Sequence, residues 1–152
     1  MQGPKLEEQQ LLSDAEARAA RYISKVEDMP VFPDSASLQQ LARFDEPVPD
    51  GAGSAKDTLA LLDETGSAAT TVSNGPRYFG FVIGATLPVA AAAQRLALAW
   101  DQCASSQVNS PVADKIEKVA AQWLLEILDL PRESGVAFGT SATASTLVCL
   151  SV

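Results

Sequence analysis

The sequence predicts an α/β protein whose helices come first and whose sheet is only begun. Three observations lead there. Several segments carry apolar residues at helical spacing behind a cap-like polar residue. Near the end, Gly135-Val-Ala-Phe138 reads as a short buried strand. It runs through Gly139-Thr-Ser-Ala-Thr-Ala-Ser-Thr146 into the apolar Leu147-Val-Cys-Leu150, a strand-turn-helix of the kind that opens an α/β domain. Finally, 47% hydrophobic and 20% charged residues over 152 positions fit a globular chain about one domain long.

Each element has its own signal. Ser13-Asp-Ala-Glu16 has the form of a capping box, and the expected helix runs to about Glu27 with Leu12, Ala15, Ala19, Tyr22, Ile23 and Val26 along one stripe. Met29-Pro30 ends it, because a residue before proline is pushed out of the helical region. Residues 31–53 form a connector holding Pro33, Pro47, Pro49, Gly51 and Gly53, with room for a short helix at Ser37–Phe44. Ser54-Ala-Lys-Asp57 caps a further helix of about three turns through Leu59 and Leu62, closed by Gly66.

Asn74-Gly-Pro-Arg-Tyr-Phe-Gly-Phe-Val-Ile-Gly84 reads as a turn leading into an aromatic extended run. Pro88 opens an alanine-rich helix to about Ala104. Ser110-Pro111 places a cap and then a first-turn proline, where the missing amide costs nothing. The helix Val112–Leu128 follows, with Val112, Ile116, Val119, Ala120, Trp123, Ile127 and Leu128 on one side and an outward Asp114–Lys118 pair. Pro131 closes it.

Composition narrows the function. A net charge of −8 leaves no basic face for sequence-independent nucleic-acid binding. The polar Met1–Gln10 stretch is not a secretory signal, and Leu87–Trp100 is interrupted by Gln94 and Arg95, too short to span a bilayer. The expected location is therefore the cytoplasm. Cys103 and Cys149 sit in apolar patterns without metal-ligand spacing and are expected as buried free thiols. There is no histidine, which removes a Ser-His or Cys-His nucleophile and most zinc sites.

The turn Gly139–Thr143 has two readings at the level of residues. It is either a plain capped helix start or a seat for a phosphate, since small side chains let an anion reach first-turn amides and the hydroxyls of Ser141 and Thr143 add donors. It has neither the lysine of a nucleotide P-loop nor the glycine spacing of a dinucleotide turn. Arg77–Gly84 is either core or the wall of an apolar pocket. The acidic pairs Glu7-Glu8, Asp45-Glu46 and Asp63-Glu64 are expected to be solvated surface.

The order of these motifs carries a resemblance. Pro76-Arg-Tyr-Phe-Gly-Phe-Val82, then a proline-started helix, then Ser110-Pro111, Glu117, Trp123-Leu124 and Leu130-Pro131, then Gly135–Leu150, resembles the pyridoxal-phosphate-dependent group II decarboxylases, the family of the aromatic amino acid, histidine and glutamate decarboxylases. It covers about Leu12–Leu150. The resemblance implies a fold-type I transferase fold, of which this chain is the N-terminal helical segment (residues 1–68) and the start of the large cofactor domain (69–152), truncated.

It further implies a lyase removing the α-carboxylate of an amino acid, with pyridoxal 5′-phosphate as cofactor. Ser141, Ala142 and Thr143 inherit the cofactor-phosphate contacts, and Phe81, Val82 and Gly84 the substrate side, in a partner's active site. The family is a homodimer whose N-terminal helices clasp the partner, so the stripe on Ser13–Glu27 would face another subunit. No metal, nucleic acid or membrane partner is implied.

The chain departs from the family pattern in its turn, Thr143-Ala-Ser145, and in what is missing. The family's Schiff-base lysine, its pyridinium-pairing aspartate and its ring-stacking histidine have no counterpart. Lys5, Lys25, Lys56, Lys115 and Lys118 lie in polar surroundings unlike the lysine motif. The chain therefore has no catalytic residue of its own and is expected to be inactive alone, the N-terminal part of a longer enzyme. Two alternatives stand beside this: a non-catalytic helical dimerisation module or pseudoenzyme remnant, and a transaminase-like enzyme of the same fold.

Overall fold

A computed structural model describes residues 3–151, and the chain divides into two compact units, with the boundary in sequence between Leu87 and Pro88. The first contains three α-helices, α1 (Gly3–Ile23), α2 (Ser35–Gln40) and α3 (Ala55–Leu61). α2 tightens into a 3₁₀ turn at Leu41–Phe44. α3 widens into a π-turn at Leu62–Gly66 and closes as a 3₁₀ turn at Ser67–Ala69. The second unit contains α4 (Pro88–Trp100), α5 (Pro111–Ile127) and α6 (Ala142–Leu150).

Caps set most of these starts. Asp34 accepts the Ser37 amide at 2.7 Å, Ser54 the Asp57 amide at 3.2 Å and Ser110 the Ala113 amide at 3.3 Å. Ser54 and Ser110 are the caps the sequence predicts. The Ser13–Glu16 box is not one: α1 begins ten residues earlier, at Gly3, and carries the box in its interior. α1 also ends before Glu27, at Ile23, and a further turn reaches Met29 through Met29 N–H donating to Lys25 O at 3.1 Å.

The core of the first unit forms where the chain returns to the end of α1. Val26 and Val72 are buried there, and the Val72 amide donates to Val31 O at 2.9 Å. Gly75 is required at this crossing, because a Cβ would lie 2.9 Å from Val72 Cγ1. Part of the α1 stripe thus faces residues of its own unit.

α5 ends in a Schellman turn. The Leu130 amide donates to Leu125 O at 2.9 Å and the Asp129 amide to Glu126 O at 3.2 Å, with Asp129 left-handed at φ 52°. Arg132 adds a bond to Leu125 O at 2.7 Å. Leu125 is the buried apolar residue of this helix; of the expected stripe Val119 and Ala120 are half-buried and the rest is open, with Trp123 64% exposed.

Three further expectations are corrected. Gly135–Phe138 is not a strand, and the described residues form none, since a ladder needs a neighbouring strand to accept its hydrogen bonds. Residues 77–84 are turns and irregular backbone and not an extended run, with Phe81 and Val82 both left-handed at φ 53° and 55°. Cys103 and Cys149 are exposed: α4 stops at Trp100, before Cys103, and the face of α6 that carries Cys149 is uncovered.

The chain exposes 12544 Å². Large apolar side chains are exposed on each helix of the second unit: Leu96, Leu98 and Trp100 of α4, Ile116 and Ile127 of α5 and Leu147 and Leu150 of α6.

Candidate functional site

The turn into α6 is built from small residues. Ser141 is extended (φ −151°, ψ 153°), and its hydroxyl oxygen accepts the Ala144 amide at 3.1 Å. The Ser145 amide bonds Ser141 O at 3.0 Å. That leaves the first-turn amides of Ala142 and Thr143 without an acceptor inside the helix. Ser141, Ala142 and Thr143 are exposed. Gly139 folds so tightly against the helix that a Cβ would collide with Ser145 Oγ. The three residues read as a phosphate seat are therefore together at one helix start, with Ser141 Oγ already engaged as the cap.

Phe81, Val82 and Gly84 lie on one loop of the first unit. Phe81 is 91% exposed and Val82 fully exposed, and nothing stands within 4 Å of a Cβ built on Gly84. A left-handed valine is uncommon, because its branched Cβ crowds the following carbonyl. The bend is closed by the Ile83 amide donating to Gly80 O at 3.4 Å.

A second feature was not visible in the motifs. α1 and the segment from Leu59 to Asn74 flank a groove of about 660 Å³. Its polar floor is a network. Arg18 Nε donates to Asp14 at 3.1 Å and Arg18 Nη1 to Asp63 Oδ2 at 3.0 Å, while Arg21 reaches the same oxygen at 3.5 Å. Ser67 Oγ donates to Asp63 Oδ1 at 2.8 Å, and Tyr22 and Thr70 share a hydroxyl hydrogen bond of 2.8 Å. The Ser67 hydroxyl first, and then Arg18, hold the Asp63 carboxyl below its usual range. Asp14, ahead of Asp63, holds the Arg18 guanidinium above its own.

Asp63 is thus no solvated surface charge, although its neighbour Glu64 is 61% exposed and reaches only Arg43, at 3.8 Å. The helical spacing of Ala15, Ala19, Tyr22 and Ile23, and of Leu59, Leu62 and Gly66, was the available signal. What the sequence does not carry is that the two stripes meet.

Cys103 is drawn below its usual value by the Ser105 hydroxyl. Among the described residues no group of three or more His, Cys, Asp or Glu side chains could hold a metal ion. No helix among them is long and apolar enough to cross a membrane. No family model, no curated protein and no solved structure matches the chain.

Proposed function

We propose that the chain is the N-terminal part of a pyridoxal-phosphate-dependent carboxy-lyase acting on an amino acid as a homodimer. What supports the reading, beside the order of motifs, is the start of α6. Ala142 and Thr143 are small, exposed residues in the first turn behind the Ser141 cap, where backbone amides have no acceptor inside the helix. Gly139 lets the turn close onto Ser145, whose Oγ a Cβ at this position would displace. These groups fit a phosphate, whose charge the helix dipole favours.

When bound, the cofactor supplies an electron sink that lets the α-carboxylate leave as carbon dioxide. This chain's residues do the anchoring: the Ala142 and Thr143 amides hold the phosphate, and Ser141 fixes the turn that presents them. Phe81 and Val82 offer apolar contact to a substrate side chain. The family's own lysine for covalent attachment and its histidine and aspartate have no counterpart among this sequence's motifs.

The test uses pyridoxamine 5′-phosphate, which has no aldehyde to react with surface lysines, and pyridoxamine as its phosphate-free control. Calorimetry should show binding of the first and none of the second, weakened about tenfold by Gly139→Val, a loss of about 1.4 kcal/mol. Equal heats for both compounds would remove the phosphate seat from the proposal.

A second reading, a non-catalytic helical interaction module, is favoured by one observation: an exposed surface of 12544 Å² with apolar faces open on α4, α5 and α6. Loss of the phosphate-dependent signal from a folded chain would put that reading first.

A further inference from the structure

The groove of the first unit has features that specify what covers it. Both walls are helical surfaces presenting residues one turn apart, Ala15, Ala19 and Ile23 from α1 and Leu59, Leu62 and Gly66 opposite. The rim is open, since Ile23 and Leu62 are 63% and 60% exposed, unlike the enclosed pocket that buries most of a small molecule. A helix laid in such a groove meets it through side chains at i, i+3, i+4 and i+7.

The charge around the groove selects among helices. Beside it, at the other ends of α1 and α3, is a hollow whose ionisable lining is Glu7, Glu8 and Asp14 against Lys56. The Asp14–Arg18 pair joins the two linings. Over the whole first unit, thirteen carboxylates stand against seven cationic side chains, a net −6 of the chain's −8. A second copy seated groove to groove would bring the same acidic residues face to face, a repulsion that a cationic partner turns into attraction.

We propose that the groove between α1 and the Leu59–Ser67 segment is the docking site for a cationic amphipathic helix of another polypeptide. The apolar stripe of that helix lies on Ala15, Ala19, Leu59 and Leu62, and its lysines or arginines meet Glu7 and Glu8. Arg18 and Asp63 satisfy each other in the floor and need no partner from the ligand. This inference is independent of the phosphate seat at α6, which belongs to the other unit.

The experiment follows the fluorescence anisotropy of a labelled leucine-lysine peptide of about eighteen residues, five helical turns, with leucine at i, i+3, i+4 and i+7. Controls are a scrambled peptide of the same composition and a leucine-glutamate peptide of the same pattern. The full chain should bind the patterned cationic peptide and neither control, with affinity falling at least about tenfold between 0.05 and 0.5 M salt. Ala19→Arg should weaken binding about tenfold, whereas Ala17→Arg, the same charge change on the opposite face of α1, should leave it within about twofold.

Glu7→Gln with Glu8→Gln, two exposed side chains whose loss leaves the fold intact, should weaken binding and flatten its salt dependence. Equal binding of the scrambled peptide, or equal loss from the Ala17 and Ala19 variants, would overturn the proposal. So would a dimer in light scattering that Ala19→Arg dissociates and Ala17→Arg does not, because the groove would then hold a second copy.

Discussion

Arg18 donates to Asp63 across 3.0 Å, joining α1 to the π-turn after α3 over forty-five residues of sequence. The same guanidinium holds Asp14 one turn back on its own helix, so a single side chain fixes both the axis of α1 and the position of the turn. Most other side-chain hydrogen bonds in the chain are local, within one helical turn.

That relation sets an acid dependence. The Ser67 hydroxyl and then Arg18 lower the Asp63 carboxyl from its ordinary 3.8. Above that value both folded and unfolded chains carry the carboxylate, and its stabilisation is complete. As pH falls through 3.8 the unfolded chain takes up the proton first, and stability drains away until the folded carboxyl is protonated too. Urea unfolding of Asp63→Asn should show a lower midpoint than the parent near pH 6, with the gap narrowing as pH falls below 3.8. A gap that does not change with pH would mean the pair contributes nothing ionic.

Thr65 sits inside the π-turn, fully buried, with a hydroxyl that has no hydrogen-bond partner. An unmet buried hydroxyl costs on the order of 1 kcal/mol or more. Thr65→Val keeps the shape and removes the cost, so it should raise stability by about 1 kcal/mol. The urea midpoint followed by circular dichroism measures it, and a drop would show that the hydroxyl is satisfied by water.

Asp129 occupies the left-handed position of the Schellman turn after α5, at φ 52°. Glycine takes that conformation without its Cβ meeting the backbone. Asp129→Gly should therefore stabilise the second unit by about 0.5–1 kcal/mol, read as a higher thermal midpoint. The result to the contrary, destabilisation, would mean the aspartate side chain itself braces the turn.

Ser110 is fully buried and accepts the Ala113 amide, with Pro111 in the first turn of α5. Ser110→Ala should cost about 1 kcal/mol and lower helix content. Ser54→Ala, at an exposed cap, removes a similar bond from a shorter helix and should cost less.

The contrast between Ser110 and Ser13 shows what could be read from the sequence. Both are serines ahead of an apolar run. Ser110 is preceded by a polar loop and followed by proline, so the helix can start nowhere else. Ser13 follows Lys5–Leu12, every residue of which is helix-compatible, and local capping cannot stop propagation through good formers. The small residues at the α6 start were legible as a turn because their size is a local property. The Arg18–Asp63 pair and the groove above it were not, since nothing local says that stripes forty-five residues apart share a face. Gly135–Phe138 has the composition of a strand, but strand status belongs to a pair of segments, and no second segment pairs with it among the described residues.

The exposed apolar faces of α4, α5 and α6 have a consequence for any measurement of this chain. A partner that covers them in the folded state and does not bind the unfolded one adds RT ln(1 + [L]/Kd) to the folding free energy. A ligand at about a hundred times its Kd contributes about 2.7 kcal/mol in this way, comparable to two or three of the substitutions above taken together. The midpoint of unfolding is then a titration curve in disguise: it moves with protein concentration if copies cover the faces, and with partner concentration if something else does.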